Sequence, residues 1–346
     1  MKIILIFILV LFLLAAPVSA MEITAPDVPG SAMDVMPKDP ETFAEGLWQL
    51  LLAVIEKVRP EITDAAGVCL GVVAAGLMIS LVQPMTGRGK KAAELICTLS
   101  IALILMEPAR TFIHLGVETV QEMTAYGKLL LPVMTAGLAA QGAITKSAAL
   151  YTGTALFNTV LGNLIATLMI PVIYIYLALA IANSAVGEES LKKLRELIKW
   201  CATWVLKMGL YIFTGYMGLT GVITGATDAA ALKVTKTTIS VAVPVIGGIL
   251  SEASEAVLVG VAVMKNAAGV YGMLAILALC LEPFARIGIQ YLLLKLTSAV
   301  CSVFATKQAT ELIGDFSTAM GLILAVTGTI CLMLLISTVC FMKGVG

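Results

Sequence analysis

The sequence predicts an all-α, polytopic membrane protein. Hydrophobic residues make up 60% and charged residues 13% of the 346 residues, whereas soluble domains are about half apolar and roughly a quarter charged. The apolar residues are gathered in runs close to the ~20 residues that a helix needs to cross a hydrocarbon core of about 30 Å. We therefore expect a bundle of membrane helices rather than a water-soluble domain.

Composition also argues against several functional classes. The 22 basic and 22 acidic residues cancel, and no polybasic stretch predicts contact with nucleic acid. The seven cysteines are scattered through apolar runs without a Cys-x-x-Cys motif, and His114 is the single histidine. Disulfide frameworks, metal centres and histidine-dependent triads therefore have little support. No phosphate-binding glycine loop or nucleophile elbow is present, so we expect no enzymatic activity and no cofactor.

The N-terminus has the pattern of an export signal. Lys2 supplies the positive charge, residues 3–15 form an apolar core, and Val18-Ser19-Ala20 fits a cleavage site, so residues 1–20 are predicted to be a signal peptide. Residues 21–63 would form an extracytoplasmic arm, irregular at first and then an amphipathic helix over residues 41–59. That helix could lie on the membrane surface, dock on a partner or cap the membrane domain. Residues 64–346 would form the multi-span domain.

Six apolar runs are predicted to be clear spans: residues 64–83, 92–114, 167–186, 201–225, 269–294 and 317–341. The loops after the first, third and fifth spans hold most of the basic residues: Arg88, Lys90, Lys91, Lys192, Lys193, Arg195, Lys199, Lys295 and Lys307. The opposite loops hold Lys128, Lys233, Lys236 and Lys343. The positive-inside rule places the richer loops in the cytoplasm, in agreement with the signal peptide.

Two further apolar segments, residues 129–166 and 239–265, are interrupted by proline and glycine. Each could be a re-entrant hairpin or a pair of short spans, because broken helices at membrane depth must be covered by protein or line water. They could also belong to a parallel internal repeat. Pro132 and Pro244 are 112 residues apart, as are Pro171 and Pro283, and such repeats occur in transporters.

The second broken segment is the first candidate for a functional site. It holds three charged residues and three helix breakers: Glu252, Glu255 and Lys265, with Pro244, Gly247 and Gly248. Charges at bilayer depth are costly and usually mark function. The two carboxylates are three residues apart on one helical face, so they could share a proton or bind a cation. The alternative is a hairpin tip exposed to water.

Two acid–base pairs flank prolines elsewhere in the chain. Glu107 and Arg110 surround Pro108, and Glu282 and Arg286 surround Pro283. Proline is favourable at the first helical position after a break. We expect each acid and base to form a local ion pair that neutralises buried charge, with a role in transport as the alternative.

Residues 221–233, 244–253 and 265–272 resemble the stage III sporulation protein AE family, most densely over residues 205–295. The resemblance implies a permease-like or channel subunit of the mother cell-to-forespore secretion or feeding complex, in the outer forespore membrane. The implied partners are other stage III A operon proteins, including a cytoplasmic ATPase and extracytoplasmic ring subunits. It implies no catalytic or binding residues, and it leaves room for a homo-oligomer.

Two other functional classes compete with this interpretation. One is a stand-alone secondary transporter coupled to protons or cations through Glu252 and Glu255. The other is a purely structural membrane scaffold, which would tolerate neutralisation of those carboxylates because a buried acid without a partner only costs desolvation energy.

Overall fold

A computed structural model describes residues 26–37, 42–82, 88–140, 144–219 and 267–343. The signal peptide and the broken segment 239–265 lie outside these ranges. All regular structure in the described ranges is helical, which confirms the predicted fold class there. The helices are α1 (Gly30–Met33), α2 (Phe43–Val82), α3 (Arg88–Ala140), α4 (Ile144–Leu164), a π-helical turn (Ile165–Met169), α5 (Ile170–Val186), α6 (Glu189–Leu219), α7 (Ala267–Cys301) and α8 (Lys307–Lys343).

Five helical stretches in the described part of the chain are long and apolar enough to cross a membrane: Phe43–Met78, Ala92–Ala139, Ser147–Val186, Gly269–Cys301 and Lys307–Met342. Several helices are much longer than one bilayer requires. Helix α3 has 53 residues, which at 1.5 Å per residue is about 80 Å, against a hydrocarbon core of about 30 Å.

The prolines do not break these helices where the sequence predicts breaks. Pro60, Pro108, Pro132 and Pro283 all lie inside continuous α-helices, so the predicted helix starts at Pro108 and Pro283 are wrong. An internal proline removes one backbone hydrogen bond and costs about 3 kcal/mol. Helices α2, α3 and α7 each pack against several neighbours, and this burial outweighs the cost of one proline.

Residues 129–166 belong to two long helices. Helix α3 continues to Ala140, the chain reverses, and α4 returns beside α3. Helix α4 then passes through the π-helical turn directly into α5. Pro171 follows this turn and has no N–H to donate, which explains the local change of hydrogen-bond pattern.

The predicted arm is part of the bundle. Helix α2 runs without interruption across the predicted boundary at residue 63, and its first half is the amphipathic helix predicted for residues 41–59. Thr42 caps it, since its hydroxyl accepts the Glu45 N–H at 3.2 Å. Helix α1 packs against α7, and Val28 and Val35 are buried in the core.

Helix α8 is the centre of the bundle, because 94% of its most apolar stretch is buried by protein. It packs against α3, α4, α5, α6 and α7. Its start is fixed by Thr306, whose hydroxyl accepts the Ala309 N–H at 3.3 Å. Its apolar sequence therefore reflects burial in protein as well as any contact with lipid.

Close contacts establish which helix ends lie together. Gly76 near the end of α2 lies against Cys301 and Phe304 at the α7–α8 turn. Gly187, which ends α5 in a left-handed conformation (φ 74°), faces Gln308. These turns form what we call the basic end of the bundle, with Lys192, Lys193, Lys199 and Lys307. The structure thus brings together two loops that the sequence predicts on the same side.

The predicted spans do not share one height. Gly116 lies against Ile323, and Gly127 lies against Leu334, so α3 and α8 run parallel in this register. The predicted span 92–114 therefore overlaps the predicted span 317–341 by only a few residues. These two predicted spans are staggered along the bundle axis, because hydropathy does not distinguish burial in lipid from burial in protein.

Candidate functional site

Four charged side chains form a network between α2 and α7. The Lys57 ammonium lies 2.9 Å from the Glu282 carboxylate. The Arg286 Nε donates to a Glu61 carboxylate oxygen at 2.6 Å, and its Nη1 lies 3.9 Å from Glu282. The charges therefore alternate in sign around the network.

Helix geometry explains this arrangement. On each helix the two charges are four residues apart, which places them one turn apart on the same face. Helices α2 and α7 run parallel, since Gly76 meets Cys301 further along in the same register. The Glu282 side chain is 12% exposed and that of Lys57 38%. Glu282 is thus the charge that most needs its partners, because an unpaired buried carboxylate pays a large desolvation cost.

A cavity of about 140 Å³ lies beside this network, between α3 and α7. Glu118, Thr119 and Glu122 of α3 line one side, and Glu282 and Arg286 line the other. Ordered water occupies roughly 30 Å³ per molecule, so the cavity has room for a few water molecules or a hydrated small ion. Glu118, Glu122 and Glu282 give the cavity a lining rich in carboxylates, with Lys57 paired to Glu282 and His114 3.2 Å from Glu118. Carboxylate oxygens are ligands that suit a cation.

The pair at Glu282 and Arg286 is present, but its main partners come from another helix. The 3.9 Å local contact is longer than the bonds to Lys57 and Glu61. Sequence reasoning missed Lys57 and Glu61, because they were assigned to the arm rather than to the membrane domain. Their four-residue spacing next to an apolar helical face was the available signal.

The predicted buried pair at Glu107 and Arg110 is wrong. Both residues are exposed, and none of the ion pairs within the described ranges joins them. Both lie on the outer face of α3, which no described helix covers, so nothing buries them. The other candidates, Pro244, Gly247, Gly248, Glu252, Glu255 and Lys265, lie outside the described residues.

A second polar cluster lies near the basic end. Arg195 of α6 donates to one oxygen of Asp315 on α8, and the Tyr176 hydroxyl of α5 donates to the other at 2.9 Å. Lys192 and Glu311 form a further contact at 3.6 Å. The Arg195 and Asp315 side chains are only 7% and 10% exposed. Sequence reasoning counted Arg195 among the basic loop residues and missed that it points inward, for which Asp315 in an apolar helix was the signal.

Comparison with known proteins identifies the family. The model of the family "Stage III sporulation protein AE" matches residues 42–344. The chain belongs to the stage III sporulation protein AE family. This confirms the resemblance predicted from the sequence, and both polar clusters lie within the matched residues.

The family includes a curated relative from Bacillus subtilis (strain 168), named Stage III sporulation protein AE. It is 23% identical over 210 residues, which are 61% of this chain and 53% of the relative. The chain thus matches about half the length of that relative. No solved structure matches this chain.

Proposed function

We propose that the protein is a permease-like or channel subunit of the mother cell-to-forespore secretion or feeding complex, without enzymatic activity. It would lie in the outer forespore membrane with other stage III A operon proteins, including a cytoplasmic ATPase and extracytoplasmic ring subunits. The observation that carries this proposal is the acidic cavity between α3 and α7, within a family of sporulation proteins.

The physical support is the cost of polar groups in membrane helices. Ionisable side chains within such helices usually face a cavity and mark the path of an ion or a polar substrate. Glu118 and Glu122 face Glu282 and Arg286 across the cavity. The pairs Lys57–Glu282 and Arg286–Glu61 hold α2 against α7 at the same height. Movement of α2 would therefore change the charge balance of the cavity.

The acidic cavity also supports a second candidate, a stand-alone transporter coupled to protons or cations. Glu118, Glu122 and Glu282 line one cavity, and ionisable side chains grouped within membrane helices often mark the path of an ion. A transporter of this kind would move its substrate without other subunits, whereas a complex subunit would depend on the ATPase. A structural scaffold would depend on neither.

The experiment combines spore yield with the amount of protein in the membrane. Glu118→Gln/Glu122→Gln should lower spore yield while the membrane level stays normal. Glu56→Gln, an exposed acid on α2, is the matched control and should have no effect. Normal yield of the double variant at a normal level would favour the scaffold and contradict a transport role.

Affinity capture and reconstitution separate the remaining candidates. The tagged protein from sporulating cells should retain the ATPase and the ring subunits. Ion uptake by vesicles that contain this protein alone, abolished by Glu118→Gln/Glu122→Gln, would instead favour the stand-alone transporter.

A further inference from the structure

An open groove of about 310 Å³ lies between α3 and the junction of α4 with the π-helical turn. This volume far exceeds the roughly 30 Å³ that one ordered water occupies. The groove is separate from the acidic cavity, with which it shares no lining residue. π-Helical turns inside α-helices are frequent at functional sites, which makes the groove a candidate binding site.

One end of the groove is lined by hydrogen-bond donors. Lys128, Thr124 and Asn163 lie there, and Gln121 lies one turn nearer the middle of the groove. Each of the four carries at least one N–H or O–H group. The Thr124 hydroxyl oxygen is buried and has no hydrogen-bond partner. No ion pair within the described ranges involves Lys128. A ligand with negatively charged oxygens would satisfy this set, because such hydrogen bonds are the strong ones.

The other end of the groove is apolar. Gly162 lies against Thr124, so α3 and α4 are in contact at the polar end. Val117 is seven residues before Thr124, and Ile170 is eight residues after Gly162, and both line the groove. At 1.5 Å per residue the apolar end is therefore about 10 Å away from the polar end. This is the pattern of an amphipathic ligand with an anionic head.

An aromatic pair marks the same height on the bundle. Trp200 and Trp204 stack with ring centroids 6.3 Å apart, and both are exposed. Gly209 lies against Leu161 in the antiparallel α4–α6 contact. Trp204 is five residues before Gly209, so it lies at about the same height as Ala166, which is one of the residues that line the groove. By the same offset Trp200 is level with Ile170, so the pair lies beside the apolar end, and the polar end is about 5 to 10 Å further along the groove. Tryptophans concentrate near lipid headgroups, so the groove lies close to a membrane interface, where a lipid can reach it.

We propose that this groove binds an acidic phospholipid. Its phosphate is held by the Lys128 ammonium and by the hydroxyl and amide donors of Thr124 and Asn163, with the Gln121 amide one turn further along the groove. Its acyl chain lies along the apolar end beside Ile170. The site is independent of the proposed role in secretion, since it requires only that the bundle is in a membrane.

The test uses the purified full-length protein, with bound lipids measured by native mass spectrometry after exchange into equal amounts of phosphatidylglycerol and phosphatidylcholine. The natural protein should retain phosphatidylglycerol preferentially. Lys128→Gln should weaken this binding about fivefold, as expected for one basic side chain near a membrane surface. Ala125→Trp, which fills the groove, should abolish it. Lys295→Gln, an exposed lysine on α7, is the control and should change nothing.

Several outcomes would overturn the proposal. Equal retention of the two lipids would mean that the groove does not select an acidic headgroup. Unchanged retention in Lys128→Gln or Ala125→Trp would place the bound lipid elsewhere. Displacement of phosphatidylglycerol by excess inorganic phosphate would assign the donor set to a free anion. Dimers that disappear in Ala125→Trp, without any lipid preference, would assign the groove to a second copy of the chain.

Discussion

The Lys57 ammonium lies 2.9 Å from the Glu282 carboxylate and joins helix α2 to helix α7. The contact ties the predicted arm to the membrane domain, and it makes both residues part of one charge network. How much this ion pair contributes to stability depends on Arg286 and Glu61, which the fold brings next to it.

The first prediction concerns this pair. Lys57→Met and Glu282→Leu should each lower the free energy of unfolding, because each leaves an opposite charge without its partner. The double variant should be less destabilised than the sum of the two, with a coupling of about 1 kcal/mol or more. Thermal or detergent-induced unfolding of the four proteins gives the coupling.

Glu107→Leu and Arg110→Met provide the matched control on α3. Both residues are exposed and unpaired within the described ranges, so their effects should add. A coupling as large as that between Lys57 and Glu282 would contradict the structure at this position.

A second prediction concerns the cluster near the basic end. Asp315→Leu should destabilise strongly, by about 3 kcal/mol, because it leaves the buried Arg195 guanidinium uncompensated. Tyr176→Phe removes one neutral donor and should cost about 1–2 kcal/mol. Arg195→Met should partly rescue Asp315→Leu, as judged by the midpoint of thermal unfolding. Lys193→Met is the exposed control, and an equal loss there would argue against a buried cluster.

The third prediction tests the close approach of α4 and α6. A side chain at Gly153 would meet the Tyr216 ring, so Gly153→Ala should be destabilising and Tyr216→Leu should relieve the clash. Gly71→Ala points into open space and should stabilise α2 by up to about 1 kcal/mol, the difference in helix propensity. Stabilisation by both alanines would mean that the two helices are further apart than described.

Membrane orientation is the fourth prediction. With the natural cysteines replaced, cysteines at Lys193 and Lys307 should react only after the membrane is permeabilised, while one at the exposed Met33 should react with an impermeant reagent in intact cells. The reason is the basic end, which the positive-inside rule places in the cytoplasm. Reaction at Lys193 in sealed cells would reverse the orientation.

A fifth prediction covers the carboxylates outside the described residues. Glu252→Gln/Glu255→Gln should lower spore yield at a normal membrane level if these acids have a functional role. The exposed Glu56→Gln serves again as the control. Full yield from the double variant would remove both acids from the candidate site.

Much of the local structure could be predicted from the sequence. The 3.6-residue periodicity around residues 41–59 correctly indicated a helix, and the apolar runs correctly indicated a helical bundle. The helix breaks predicted at Pro108 and Pro283 were wrong. Sequence rules count the hydrogen bond that proline removes, but not the packing between helices that compensates for its loss. For the same reason the boundary at residue 63 does not appear in α2.

By itself the sequence determined the class of the protein, its family and the helical nature of its segments. These depend on composition and on contacts between near neighbours in the chain. The tertiary structure decided which charges meet: Glu282 with Lys57, and Arg195 with Asp315. It also decided that Glu107 and Arg110 stay apart. Pairing across helices depends on register and crossing geometry, which come from the packing of whole helices. The sequence can therefore show that a charge lies in an apolar helix, but not which charge it meets.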